Sequence, residues 1–97
     1  MVIRPEIHLI HLENVPIFEQ LQLEEALLRG SEENFCIINQ GSPRAIVMGI
    51  SGQPEQLINI EKVKQAHIPV IRRFSGGGTV IVDEDTLFVT FVFAKDL

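Results

Sequence analysis

The sequence contains no Trp and no Tyr, one Cys and two Met. Its six Phe therefore make the aromatic content purely apolar. The single cysteine, Cys36, excludes an internal disulfide and cannot hold a metal by itself, which fits a reducing compartment. Basic charge is scarce, with 8 Lys and Arg against 13 Asp and Glu for a net charge of −5. No Lys/Arg stripe occurs, so the electrostatic footprint of a general nucleic-acid binder is missing. No apolar run approaches the roughly 20 residues that span a bilayer. The first residues, Met1 to Glu6, have neither an apolar signal core nor an Arg/Ser-rich transit composition. These absences predict a soluble protein of the cytoplasm, or of an organelle in a eukaryotic source, with no nucleic-acid or membrane partner.

What is present is apolar: 45% of 97 residues. A chain this short leaves a large share of its surface wet. So apolar a short chain is expected either to cover surface against something else or to be incomplete. There is no repeat, low-complexity stretch or linker.

Ile7 to Leu12, bounded by Pro5 and Asn14, predicts a strand. Asn14 is a candidate cap for a helix that tolerates Pro16 in its first turn and runs to about Arg29, stopped by Gly30. Its expected core stripe is Ile17, Leu21 and Leu28, supported by Phe18 and Leu27. Phe35 to Ile38 and Ala45 to Met48 predict buried strands, the latter closed by Gly49. Leu57 to His67 suits one short amphipathic helix ended before Pro69. Three strands follow, over Val70 to Phe74, Thr79 to Asp83 and Leu87 to Ala94. The polar turn Asp83-Glu84-Asp85-Thr86 signals a hairpin between the last two. Leu87 to Phe93 is apolar on both alternating faces, as in a strand at the middle of a sheet. The pattern predicts an α+β fold, with helices packed on a mixed, mainly antiparallel sheet.

The segment with most chemical content is Arg72-Arg73-Phe74-Ser75-Gly76-Gly77-Gly78-Thr79. Three glycines without Cβ atoms allow positive φ and close approach to a ligand. Successive N–H groups in such a turn can form an anion-binding nest. Ser75 adds a hydroxyl, and an arginine adds permanent charge with bidentate geometry. Adjacent strand residues face opposite ways, so one arginine is expected in the pocket and the other paired with an acid. The plain alternative is a flexible turn between strands. Neither the Walker loop nor the dinucleotide glycine pattern is present.

Glu24 interrupts the apolar stripe of the first helix. Either it orients an arginine or loop amide of the site, or the helix is rotated and Glu24 lies at the wet edge. His8 and His11, three apart on a strand, face opposite ways and cannot share a metal. Cys36 reads as an inert core thiol. No metal site is expected, and Asp83 at a strand end is the acid to watch.

Arg72 through Asp83 resembles the arginine–serine–triple-glycine signature of the biotin/lipoate protein ligase catalytic-domain family, in its lipoate–protein ligase A branch. Leu23-Glu24-Glu25-Ala26-Leu27-Leu28-Arg29 resembles that family's first helix, and Ile46-Val47-Met48-Gly49 the strand and glycine before its variable loop. The resemblance implies a fold akin to class II aminoacyl-tRNA synthetase catalytic cores, with residues 1–97 as the N-terminal part of one catalytic domain. It implies ATP, with Mg, and lipoate or octanoate as substrates that yield an acyl-adenylate. The acyl group then passes to a lysine on a lipoyl-acceptor domain of an oxo-acid dehydrogenase complex or on glycine cleavage H protein.

By that resemblance Arg72 and Arg73 belong to the nucleotide and substrate site, with Arg73 covering the acyl-adenylate. Ser75, Gly76, Gly77, Gly78 and Thr79 line it, Val80 and Val82 wall the acyl pocket, and Asp83 braces the site. Glu24 and Gly49 support it. The chain departs from the family in three places. Val82 stands where the signature has His, Ile50 where the next segment begins with Arg, and Lys95 is the sole lysine after the motif, too early for the family's catalytic one. No catalytic residue is therefore assigned. A non-catalytic binding module of the same fold and an octanoyl transferase are the alternatives, and the isolated chain is expected to be inactive. The apolar strand near Leu97 implies an open sheet face capable of self-association.

Overall fold

The computed structural model describes residues 6–94. Nine elements follow in order: β1 (Ile7–Glu13), α1 (Ile17–Gly30), β2 (Asn34–Gln40), β3 (Ala45–Met48), α2 (Pro54–Leu57), α3 (Ile60–Gln65), β4 (Val70–Arg72), β5 (Val80–Val82) and β6 (Leu87–Val92). They form two three-stranded sheets, ordered β1-β2-β6 and β4-β3-β5. In each, a parallel pair joined by a helical crossover gains an antiparallel third strand: β2 pairs β1 and β6, while β3 pairs β4 and β5. The α+β class with mixed sheets and packed helices is the one the sequence pattern predicts.

Helix α1 links the two sheets. It is built from good helix formers (Leu, Glu, Gln, Ala), and Pro16 at its N-cap needs no N–H partner. Its first turns contribute Ile17 and Leu21 to a core with Ala45, Val47, Val82, Ile71 and Phe88. Its later turns place Leu23 and Leu27 on a second core of Phe35, Ile37 and Val92. Complete burial of a side chain such as Ile37 contributes about 2 kcal/mol. The expected stripe is only partly realised: Phe18 and Leu28 are exposed, and Gln20 takes a buried place between the cores.

Four further expectations are corrected. Asn14 does not cap α1; it has φ 50, and the Ile17 N–H is met instead by the Ser42 hydroxyl at 3.0 Å. The helix expected over Leu57 to His67 is shortened to α3, because Asn59 leaves helical geometry and caps α3 by accepting from the Lys62 N–H, while α2 ends at Leu57. The turn at Asp83 to Thr86 exists, with the Thr86 N–H on the Asp83 carbonyl at 3.1 Å, but it joins no hairpin. Its strands diverge into different sheets, since β5 finds β3 and β6 finds β2. Cys36 is half-buried, on the face of β2 opposite Phe35, Ile37 and Asn39.

That opposite face is open. Leu87, Val89 and Phe91 on β6, and Phe93 just past it, are exposed, as are Ile7 and Leu9 on β1. Strand β6 ends the sheet among the described residues, with one edge unpaired, whereas the sequence pattern predicts a central strand. No helix among the described residues is long and apolar enough to cross a membrane.

Candidate functional site

A cavity of about 210 Å³ opens where α1, the second sheet and β6 meet. Ile17, Leu21, Val47, Val80, Val82 and Phe88 give it an apolar wall, and Gln20, Glu24, Thr90 and Arg73 supply its polar groups. Four residues selected by sequence reasoning, Glu24, Arg73, Val80 and Val82, thus meet in one space. Alternation along β5 carries Val80 and Val82 to the cavity and turns Ile81 outward.

The two arginines part as adjacent residues should. Arg73 lines the cavity, and its Nη2 donates to the carbonyls of Gly78 at 2.7 Å and Gly76 at 3.3 Å. Arg72 turns to the other loop, where Nη1 donates to the carbonyls of Gly52 at 2.6 Å and Ile50 at 2.9 Å, with Gly49 at 3.5 Å. The acid partner expected for the second arginine is replaced by these carbonyls.

Of the three glycines, Gly77 is the one that space and backbone geometry require, since a Cβ at Gly76 or Gly78 would meet nothing within 4 Å. Gly77 has φ +124, and a Cβ there would stand 2.6 Å from Arg73 Nη2. A Cβ at Gly49 would collide with the Gly77 carbonyl oxygen. The Ile50 N–H donates to the Ser75 carbonyl at 2.9 Å, which ties the turn after Gly49 to the start of the glycine loop. Facing Arg73 the loop presents carbonyls, where an N–H nest was expected. Ser75 and Gly76 to Gly78 are exposed beside the cavity, and Thr79 is half-buried.

Asp83 is placed elsewhere. It lines a different recess with Asn14, Ser42, Pro43, Arg44 and Glu84. Its Oδ1 accepts from the Asp85 N–H at 2.9 Å, and its carbonyl accepts from the Ser42 N–H at 3.1 Å. Lys95 lies outside the described residues. Among the described residues, no group of three or more His, Cys, Asp or Glu could hold a metal ion.

Glu24 is half-buried and touches no arginine in the described hydrogen bonds. Its Oε2 accepts from Gln20 Nε2 at 2.8 Å and from the Thr90 hydroxyl at 3.3 Å. Gln20 Oε1 accepts in turn from Asn39 Nδ2 at 3.0 Å, and Asn39 also bonds both the N–H and the carbonyl of Val15. This buried polar line, running from β2 through α1 to the cavity, escaped the sequence reading. The available signal was Gln20 four residues before Glu24 on the buried stripe, with Asn39 and Thr90 inside otherwise apolar strands.

Comparison with known proteins gives the following. Residues 16–97 match the family model of the lipoyl protein ligase A/B catalytic domain. A protein of Aeropyrum pernix bearing the provisional name lipoate-protein ligase A is 34% identical over 79 residues, covering 79% of this chain and 30% of its own. Inactive lipoate–protein ligase 2 of Plasmodium falciparum is 26% identical over 112 residues, covering 89% of this chain and 29% of its own. The chain therefore spans less than a third of the length of these relatives. Among solved structures, a lipoate-protein ligase A bound with ATP superposes with a TM-score of 0.79 at 25% identity, over 94% of this chain and 38% of that one. A bi-partite lipoate protein ligase of Thermoplasma acidophilum, described with its E2 lipoyl domain, superposes at 0.78 with 23% identity, over 89% and 35%.

Proposed function

The chain belongs to the lipoyl protein ligase A/B catalytic-domain family, and on that premise we propose that it forms the N-terminal part of a lipoate–protein ligase catalytic domain. The reaction has two steps. A carboxylate oxygen of lipoate or octanoate attacks the α-phosphate of ATP, and pyrophosphate leaves. The amine of an acceptor lysine then attacks the acyl carbonyl, and AMP leaves.

The observation that carries this reading is one cation set in an apolar cavity. Arg73 shares its space with Val47, Val80, Val82 and Phe88. An acyl chain gains by burial against those side chains, while a guanidinium held at one side binds the oxygens of a phosphate or carboxylate. Fixed charge placed where negative charge gathers lowers the barrier to adenylate formation. Ser75 and the loop of Gly76, Gly77, Gly78 and Thr79 would line the nucleotide side, with Arg72 and Gly49 behind them. Glu24 would fix that wall of the cavity through Gln20 and Thr90. Asp83 would act through the Ser42 link at the helix start. Mg²⁺ would arrive with the ATP phosphates as part of the substrate, since it is usually held by few carboxylates together with phosphate oxygens. The acceptor would be a lipoyl domain of an oxo-acid dehydrogenase complex or glycine cleavage H protein.

The test is ATP–pyrophosphate exchange by the longest natural product that contains this chain. Exchange should depend on lipoate or octanoate and fall about 100-fold in Arg73→Ala. Absence of exchange with every medium-chain acid overturns the reading. A second reading, a binding module without turnover, is favoured by the relative named as inactive and by Val82 in place of the family's His. Calorimetric binding of a non-hydrolysable acyl-adenylate analogue without turnover would select it. An octanoyl transferase acting through Cys36 is disfavoured, because Cys36 is not among the residues lining the cavity.

A further inference from the structure

Arg72 and Arg73 serve two loops that touch each other. Arg72 gathers the carbonyls of Ile50 and Gly52, with Gly49 at longer range. Carbonyl oxygens turned toward one point repel, so the turn keeps this shape because a cation sits there. The same turn holds the glycine loop from behind, through the Ile50 N–H on the Ser75 carbonyl and the close approach of Gly49 to Gly77. On the cavity side, Arg73 is occupied by the carbonyls of Gly76 and Gly78. An anion that takes the Nη2 donors of Arg73 must displace both carbonyls. A loop that releases its contacts on one side keeps its position only if the other side holds.

We propose that Arg72 is a positioning residue for the anion site: it fixes the 49–52 turn as the platform for Ser75 and Gly77, so that Arg73 exchanges two loop carbonyls for a phosphate or carboxylate while the loop stays in place. The proposal rests on the reading of Arg73 as the anion-binding group. Gly77, at φ 124, lacks the Cβ that would restrict rotation of the neighbouring peptide planes. Arg72 itself touches no ligand.

Inorganic pyrophosphate titrated into the ¹⁵N-labelled full chain provides the test. In the unaltered chain the amide signals of Gly76 to Gly78 should move, while the Ile50 amide stays protected from hydrogen exchange. Arg72→Ala should speed Ile50 exchange and weaken pyrophosphate binding about tenfold. Arg72→Lys, which keeps a donor, should recover part of both. Gly49→Ala, with Arg72 intact, should reproduce the loss by displacing Gly77, and it carries the test if Arg72→Ala does not fold. A purely structural role would lower the thermal midpoint and leave the affinity of the folded protein unchanged.

Equal pyrophosphate affinity in the unaltered chain, Arg72→Ala and Gly49→Ala overturns the proposal, as does an unaltered chain with no response at Gly76 to Gly78. Octanoyl-sulfamoyl-adenosine separates the two readings. If it fails to bind while the Arg72-dependent pyrophosphate response is present, the ligase reading falls and the positioning role stands. If it binds the unaltered chain and Arg72→Ala equally, the positioning role falls and the ligase reading stands.

Discussion

Asn39 Nδ2 on β2 donates to Gln20 Oε1 on α1 at 3.0 Å, in a place where Asn39 is 0% and Gln20 2% exposed. A buried amide pair of this kind ties helix to sheet more selectively than apolar contact, because any slip leaves polar groups unpaired. Replacing Asn39 by Leu would strand the Val15 N–H, the Val15 carbonyl and one side of Gln20. The expected loss is about 3 kcal/mol in urea unfolding. A double-mutant cycle with Gln20→Leu should give a coupling of about 1 kcal/mol or more. Additive single effects would contradict the pairing.

Ser42 performs the capping that Pro16 cannot. Its hydroxyl accepts the Ile17 N–H from 25 positions along the chain. Ser42→Ala should destabilise the protein by about 1 kcal/mol, while Ser42→Thr should lose less if its methyl is accommodated. Helix content measured by circular dichroism at low denaturant should fall with the first substitution. An unchanged unfolding midpoint in Ser42→Ala would refute the cap.

Gly41 links the central strands of the two sheets at φ +87, and a Cβ there would lie 2.7 Å from the Glu84 carbonyl oxygen. Gly41→Ala combines backbone strain with that clash. It should cost at least about 1 kcal/mol in chemical unfolding. The effect should reach the Asp83 to Thr86 turn, because the Gly41 N–H donates to the Thr86 carbonyl at 2.8 Å.

The open face of β6 is the apolar surface the composition demands. Phe91 is 57% exposed and stacks on Phe93, with centroids 5.6 Å apart. We expect the chain to self-associate through this face and the adjoining edge. Phe91→Glu should shift sedimentation toward the monomer and change monomer stability by no more than about 0.5 kcal/mol. A concentration-independent monomer in the unaltered chain would remove this role.

Local chemistry made much of the site readable. Adjacent arginines on a strand were expected to face opposite ways, as Arg72 and Arg73 do, and period-two alternation placed Val80 and Val82 on one face. The end of α1 followed from Gly30, whereas its start lies past Pro16 and not at Asn14. What escaped were pairings across distance. The turn at Asp83 looks like a hairpin because adjacent strands usually pair, yet β3 and β2 offered the better partners. One of the two arginines was expected to find an acid, but Arg72, which turns from the cavity, is met by the carbonyls of the 49–52 turn.

Residue order alone was enough to show which segments extend or coil, and that more apolar surface exists than so short a chain covers. Those properties reside in side-chain size, φ preference and charge over a few residues. The tertiary structure alone decided that Glu24 meets Gln20 and Thr90, that Arg73 shares a cavity with β5 and β6, and that Asp83 turns away from it. These depend on how two sheets meet across one helix, through contacts between residues up to 66 positions apart, such as Thr90 with Glu24. No local pattern encodes such a meeting, because its free energy arises only when the distant surfaces pack.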